Sequence, residues 1–429
     1  MVDLRHGFRI DPDKCDGRMS CMRTCPTHAI RVKNGKARLI SELCIDCGLC
    51  LGVCTTGAIS ATTIRFAELN RFKYKVAVAS PALFTQFGMR DTPAQVARAL
   101  LELGFDAVWE YAVDIALIDR AITDCVKTWP GPFPLISNSC PVVVRLIQVA
   151  YPSMVEHVIP LEAPREIAAR ELKRKYSEEL GLKPEEIAAI YITSCQAKAI
   201  SILQPAEEAK SYLDGAVSIA GIYNELLTKM RKNAKPPDAP KDAVNSSELL
   251  HWGAPEGEFP KLSREHYLPL TGLTGIMKVF NDIEKGRFRN IEFLECHACQ
   301  GGCIGGNLAV ENVYVARSKL LHLMASMPKS DPEFEKEVER RYLQEDVSLR
   351  GSLKPRLTEG EAIDLRERVM RRKRAEEIVK ALPLLNCGLC GAPTCRNHAE
   401  DVAASRGDIQ DCVFLSLDRI DQLRNLYKK

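Results

Sequence analysis

The run Glu295-Cys296-His297-Ala298-Cys299-Gln300-Gly301-Gly302-Cys303-Ile304-Gly305-Gly306 decides how the middle of this chain is folded. It pairs with two isolated cysteines far upstream, Cys140 in Asn138-Ser139-Cys140-Pro141 and Cys195 in Thr193-Ser194-Cys195-Gln196-Ala197-Lys198. Working outward, Phe133 to Ser137, Ala188 to Thr193 and Asn290 to Leu294 read as apolar strands that end just before a cysteine. Val76 to Ser80 reads as a buried strand and Pro93 to Leu103 as an amphipathic helix. Strands alternating with helices imply a parallel α/β sheet, with its sites beyond the carboxyl ends of the strands. Such a sheet gathers thiolates from distant positions into one buried metal centre. Cys140 stands at a strand-to-helix junction, with Pro141 suited to the first helical position and the helix N-terminus favouring an anionic cluster. Lys198 supplies a cation that can pair with a negatively charged, non-protein metal ligand. Gly301, Gly302, Gly305 and Gly306 let the chain turn tightly against a cofactor.

The chain has 429 residues, 46% of them hydrophobic, which is enough for a large core and more than one domain. A net charge of +3 gives no footprint for nucleic acid or a membrane surface. No apolar run reaches the roughly 18 residues of a membrane span, and Met1 to Gly7 lacks a signal core. Seventeen cysteines at short gaps, without a signal, point to thiolates held reduced for metal binding in the cytoplasm. Because exposed iron–sulfur sites oxidise, an anaerobe is the expected source. Residues 232 to 265, with several prolines and little periodicity, read as a long surface insertion.

Four segments follow: 1–65, an α+β two-cluster ferredoxin-like domain; 70–328, the α/β core; 329–382, a charged helical linker; and 383–429, a small four-cysteine module. The basic run Arg371 to Arg374 in the linker reads as a solvated helix face, with docking to an acidic partner as the alternative.

Cys44-x2-Cys47-x2-Cys50-x3-Cys54 is a ferredoxin pattern in which the fourth cysteine serves the other cluster. The mirror-image run offers Cys15, Cys21 and Cys25, with Arg18 in the second place. Exchange gives one complete [4Fe–4S] set, Cys25, Cys44, Cys47 and Cys50, and one incomplete set, Cys15, Cys21 and Cys54. The second set holds a three-iron cluster or a four-iron cluster with a non-cysteine ligand, for which Asp16, His6 and His28 are candidates. Zinc is the alternative, disfavoured by the repeated two-residue gaps and by Pro26. At the other end, Cys387-x2-Cys390-x4-Cys395-x16-Cys412 sits among glycines that free the backbone to wrap an inorganic core. This pattern resembles the four-cysteine [4Fe–4S] domain of corrinoid iron–sulfur proteins and membrane electron-transfer complexes.

From the ferredoxin-like module to about residue 325 the chain resembles the [FeFe]-hydrogenase family. The resemblance implies an H-cluster: a [4Fe–4S] cubane joined through a cysteine sulfur to a di-iron subsite with CO, cyanide and a dithiolate. It implies Cys140, Cys195, Cys299 and Cys303 as cubane ligands, Cys303 as the bridge, and Lys198 as the contact to a cyanide. The fold it implies is two parallel-sheet lobes around that cofactor. The departures concern proton handling. Catalytic members carry a relay cysteine where this chain has Ser139. A thiol with a reference pKa near 8.5 passes protons near neutrality, whereas an alcohol relays only through concerted hydrogen bonding. Thr193-Ser194 replaces Met-Pro, and His297 replaces a methionine, which makes the subsite more polar. His297 is either a core histidine bonded to backbone or a polar contact to the subsite. Cys125 and Cys296 are read as packing residues.

These departures, with the C-terminal cluster, resemble the sensory groups of the family. The implied function is slow reaction with H2 (H2 = 2 H+ + 2 e−), with electrons or a redox signal passed through ferredoxin-type clusters to a partner protein. Two alternatives stand beside it: a hydrogenase subunit of a multisubunit, electron-bifurcating oxidoreductase, and a cubane-only electron-transfer or assembly protein. The expected partners are H2, protons and a redox or signalling protein, within a homo-oligomer or larger complex.

Overall fold

The computed structural model describes residues 5–64, 66–207, 210–232, 247–258, 265–327, 332–356 and 364–415. Parts of the expected insertion at 232–265, of the 329–382 segment and of the 383–429 module lie outside them. The chain forms two compact units: Met1–Ala61 with Pro355–Lys429, and Thr62–Lys354.

In the first unit, β1 (Phe8–Ile10) pairs antiparallel with β4 (Ile59–Ala61), and β2 (Ile30–Lys33) with β3 (Lys36–Leu39). The β2–β3 turn is Asn34-Gly35, both at positive φ, the backbone that a tight two-residue hairpin requires. Short helices Ser20–Thr24 and Leu49–Gly52 carry cysteines from the two halves of the module.

The C-terminal residues pack into this same unit. Helices Leu365–Ala381 and Cys395–Ala403 share a small core of Ala375, Leu382, Ala399 and Ala403. The Val32 amide of β2 donates to the Gly391 carbonyl at 2.9 Å. Arg31 and Asp401, both buried, form a two-pronged ion pair, Nη2 to Oδ1 measuring 3.2 Å. Lys33 reaches Asp411 at 3.1 Å. Gly391 has φ +84°, and a Cβ there would lie 2.1 Å from the Val32 carbonyl oxygen. A Gly391→Ala variant is therefore expected to lose about 2 kcal/mol of stability from the left-handed backbone alone, with the clash adding to it. Urea unfolding monitored by circular dichroism measures the loss, and a midpoint equal to the parent's would refute the packing account.

The second unit holds two parallel sheets. The first has the order β6 (Ala107–Trp109), β5 (Tyr74–Ala79), β8 (Ile187–Thr193), β9 (Gly215–Ser218). All seven residues of β8 are buried, as an interior strand of a parallel sheet covered on both faces demands. Helix Pro93–Leu103 spans the expected residues, set by a Thr92–Gln95 capping box and ended by Gly104 at φ +117°. The second sheet has the order β10 (Tyr267–Thr271), β11 (Phe293–His297), β7 (Leu135–Ile136).

Three expectations are corrected. The strand expected at Asn290–Leu294 is β11 at Phe293–His297, so Cys296 lies inside it. Parallel pairing with β10 extends through Leu270↔Cys296 and Thr271↔His297, which carries the strand three residues further. Residues 247–258 are not a surface insertion, because Leu250, Ala254 and Glu258 are buried. The 329–382 segment is divided. Helix Pro332–Gln344 packs in the second unit, with Arg341 2.9 Å from the buried Asp114, whereas helix Leu365–Ala381 belongs to the first. On that latter helix, Arg372, Lys373 and Arg374 are exposed, and Arg372 pairs with Glu376 at 3.4 Å along its own helix.

Candidate metal centre and its polar surround

Each central cysteine follows a parallel strand. Cys140 comes after β7 and caps helix Pro141–Ala150; Cys195 comes after β8 and caps helix Gln196–Leu203. Beyond β11 the chain turns at Cys299, whose carbonyl accepts from the Gly302 amide at 3.2 Å, and reaches Cys303 in a short 3-10 turn. That turn is pressed onto the loop before Cys195. Ser194 Oγ donates to the Cys303 carbonyl at 2.7 Å, and a Cβ on Gly306 would lie 2.4 Å from the Ser194 carbonyl oxygen. The close approach at Gly306 is thus to protein backbone.

Electrostatics tie the thiols together. Burial, then the neighbouring Cys140, pushes the Cys195 thiol up to about 11, against the pull of Lys198. Cys303 behaves oppositely. Burial opposes its thiolate, but Lys198 and His297 bring it down to about 6. Lys198 Nζ lies 3.3 Å from Cys303 Sγ. Burial disfavours the ammonium, yet Cys303 and Tyr191 outweigh it and hold Lys198 protonated.

A cavity beside Cys303 is lined by Ser139, Lys198 and His297, the other three residues singled out in the sequence, and by Tyr111, Tyr191, Arg165 and Trp252. Behind it runs a buried polar chain. The hydroxyls of Ser137 and Ser139 both donate to the Glu258 carboxylate. The Glu258 amide donates to Glu295 Oε2 at 3.3 Å, the Tyr267 hydroxyl donates to the same oxygen, and His297 Nε2 meets Glu295 Oε1 at 2.5 Å. Glu258, Glu295 and His297 each place a polar side-chain atom within 4.8 Å of those of the other two. Burial first, and Glu295 second, hold the Glu258 carboxyl well above the usual carboxylate range. Burial lowers the His297 pKa, but Cys303 and Glu295 outweigh it and raise it well above the usual imidazole value. His297 therefore bonds a carboxylate rather than backbone, and it faces the cavity. Cys296 is fully buried and Cys125 partly so, each without a polar partner of this kind.

Glu258, Glu295, Arg165 and Trp252 were not assigned roles from sequence. Glu295 opens the quoted run, but its signal is its place two residues before His297 on one face of a strand. Glu258 carries no local signal.

In the first unit the thiols act on one another's titration, with Cys21 also acting on Cys50. Cys15 and Cys54 raise the Cys21 pKa behind burial, while Cys25 does so for Cys44, Cys47 and Cys50. The enclosure of Cys15, Cys21 and Cys54 is also lined by Asp16 and Arg18. Arg18 bonds Asp16 at 2.6 Å and Thr55 at 2.9 Å, so the residue in the missing cysteine's place lies over that enclosure. His6 instead meets Asp46 at 3.2 Å, beside Cys44, and His28 borders Arg31. Of the three candidates, Asp16 alone lines the three-cysteine enclosure. Cys387, Cys390, Cys395 and Cys412 share another enclosure with the buried His398. None of the seventeen cysteines is in a disulfide.

Comparison with known proteins agrees with this architecture. Residues 73–249 match the family described as iron only hydrogenase large subunit, C-terminal domain. Residues 8–55 match a 4Fe-4S dicluster domain, and residues 382–414 an Fe–S cluster family. Iron hydrogenase 1 of Clostridium pasteurianum is 25% identical over 268 residues, covering 51% of this chain and 46% of that protein. The NADP-reducing hydrogenase subunit HndD of Solidesulfovibrio fructosivorans is 22% identical over 379 residues, covering 71% and 64%. The chain thus spans about half the length of the first relative and under two thirds of the second. A variant of the [FeFe]-hydrogenase HydA1 from Chlamydomonas reinhardtii shares the fold, with a TM-score of 0.53 at 16% identity, over 68% of this chain and 98% of that one. Among the described residues no helix is long and apolar enough to cross a membrane. The families matched at residues 8–55, 73–249 and 382–414 support an [FeFe]-hydrogenase family member with a C-terminal iron–sulfur domain.

Proposed function

We propose that this protein holds an H-cluster on Cys140, Cys195, Cys299 and Cys303, reacts slowly with H2, and passes electrons or a redox signal through its other clusters to a partner protein. The observation that carries the reading is the pairing of Lys198 with Cys303 at the mouth of a polar cavity. The donor set fits the cofactor. The central cysteines lie beyond strand ends and outside any disulfide, Cys303 is readily a thiolate, and a half-buried ammonium stands beside it. His297 Nδ1 is buried and, apart from the Cys303 thiol, has no hydrogen-bond partner among the described residues.

When bound, the H-cluster supplies the metal centre at which H2 and two protons with two electrons interconvert. The chain's own residues handle the protons. Ser139 presents a hydroxyl to the cavity and passes its hydrogen bond to Glu258, which stands protonated or ionised near neutrality because its pKa is raised. Glu295 lies next, held by Tyr267 and His297. Glu256, two residues from Glu258, is exposed and marks the side open to water. An alcohol at the inner end makes this relay slow.

Infrared spectroscopy of anaerobically matured protein tests the reading. CO and cyanide stretching bands are expected, and a spectrum without them would end it. A Ser139→Cys variant is expected to turn over about tenfold faster, since a thiol titrates closer to neutrality. Film electrochemistry under H2 measures this; an unchanged rate in fully loaded protein would move the limiting step elsewhere. Similarity to a subunit of an NADP-reducing hydrogenase favours a second reading, in which the chain works within a multisubunit oxidoreductase. Unchanged mass on native electrophoresis of tagged protein from its source cells would count against that one.

A further inference from the structure

Lys198 is not the only half-buried cation on the cavity wall. Arg165 follows Pro164 at the start of helix Pro164–Leu180 and lines the same cavity. A guanidinium carries five N–H donors and accepts nothing, so a buried one needs acceptors. Arg165 has few. Its Nη2 makes one long contact to Ser201 Oγ at 3.5 Å, and its buried Nε has no hydrogen-bond partner among the described residues. Glu166 lies 3.9 Å from that Nε, but its oxygens already accept from the Ser211 hydroxyl, at 2.8 and 3.0 Å, and from the Tyr212 amide at 3.0 Å. Glu207 is near enough to interact electrostatically without bonding it. Two cations thus face one enclosure, and the Cys303 sulfur accepts from Lys198.

We infer that Arg165 is a second anion-binding residue of this cavity, donating to an anionic diatomic ligand of the di-iron unit other than the one that Lys198 contacts. The inference rests on the H-cluster reading above and deepens it. A planar fork presents parallel donors where lysine presents a point charge, so Arg165 fixes orientation as well as charge. Its expected role is positioning: it sets how firmly the di-iron unit is retained and how polarised one cyanide is.

The test uses full-length protein with its [4Fe–4S] clusters in place, incubated with a synthetic di-iron dithiolate complex bearing CO and two cyanides, then desalted. Arg165→Gln is expected to retain about tenfold less complex than the parent, with an unchanged cubane EPR signal and one cyanide stretch displaced. Arg165→Lys is expected to recover retention but not the band position. A glutamine variant that retains the complex as the parent does, with both cyanide bands in place, overturns the role of Arg165 while leaving the H-cluster reading intact. A parent that takes up no complex overturns both. Pulsed EPR of wild-type protein labelled with ¹⁵N-arginine decides the matter even where the variants do not fold. A ¹⁵N coupling in the loaded protein supports the contact, and its absence beside a visible ¹⁵N-lysine coupling refutes it.

Discussion

A Glu258→Gln variant is expected to lower H2 turnover by about 100-fold, the scale of a lost general acid–base group. Glutamine keeps the size of the side chain and one oxygen to accept from one serine hydroxyl, while its NH2 can donate to the hydroxyl oxygen of the other, so each serine keeps a hydrogen bond. What it cannot do is take up and release a proton. The raised pKa makes the difference visible in a pH profile. The glutamate is protonated on the acid side of neutrality and loses its proton as pH rises, so the parent's rate should change across that range. The glutamine variant should be flat there. Infrared bands at the parent's positions would show that the cofactor is undisturbed. Should the parent be too slow for the comparison, the Ser139→Cys background supplies the rate. Equal turnover of Glu258→Gln and its parent would show that protons leave by another route.

The second large effect concerns the other unit. Asp401→Ala is expected to destabilise it by about 3 kcal/mol, because Arg31 is left as a buried charge without its carboxylate. Arg31 keeps only backbone carbonyls, at His28 and Ile30. Replacing both partners, as in Arg31→Met with Asp401→Leu, should restore much of the loss, since burying neither charge removes the penalty. Urea unfolding followed by iron–sulfur absorbance reads both. A single variant as stable as the parent would mean that the pair is solvated in the working protein.

What the sequence disclosed depended on how local the physics is. The cysteine spacings at 44–54 and 387–395 were legible because those residues are close neighbours in the chain. Helix Pro93–Leu103 was legible because its cap, Thr92 with Gln95, and its stop, Gly104, are neighbours in the chain. Strand β11 was placed three residues early because its end is set by β10, a partner recognised only through space. Glu258 was hidden for a stronger reason. It stands in a proline-containing stretch without periodicity, and its burial comes from Ser137, Ser139 and Glu295. Arg165 was equally silent, because an arginine in the first turn after a proline looks like any solvated helix start.

The docking of the last cysteine module onto β2 has a consequence for biosynthesis. The ribosome releases Arg31 and Val32 long before Asp401 and Gly391 exist to meet them. Until then a newly made N-terminal segment presents to the cell the open outer edge of the β2–β3 hairpin and a guanidinium without its carboxylate. Its completion must await residues 370 positions downstream, so this part of the molecule is begun early in translation and finished late.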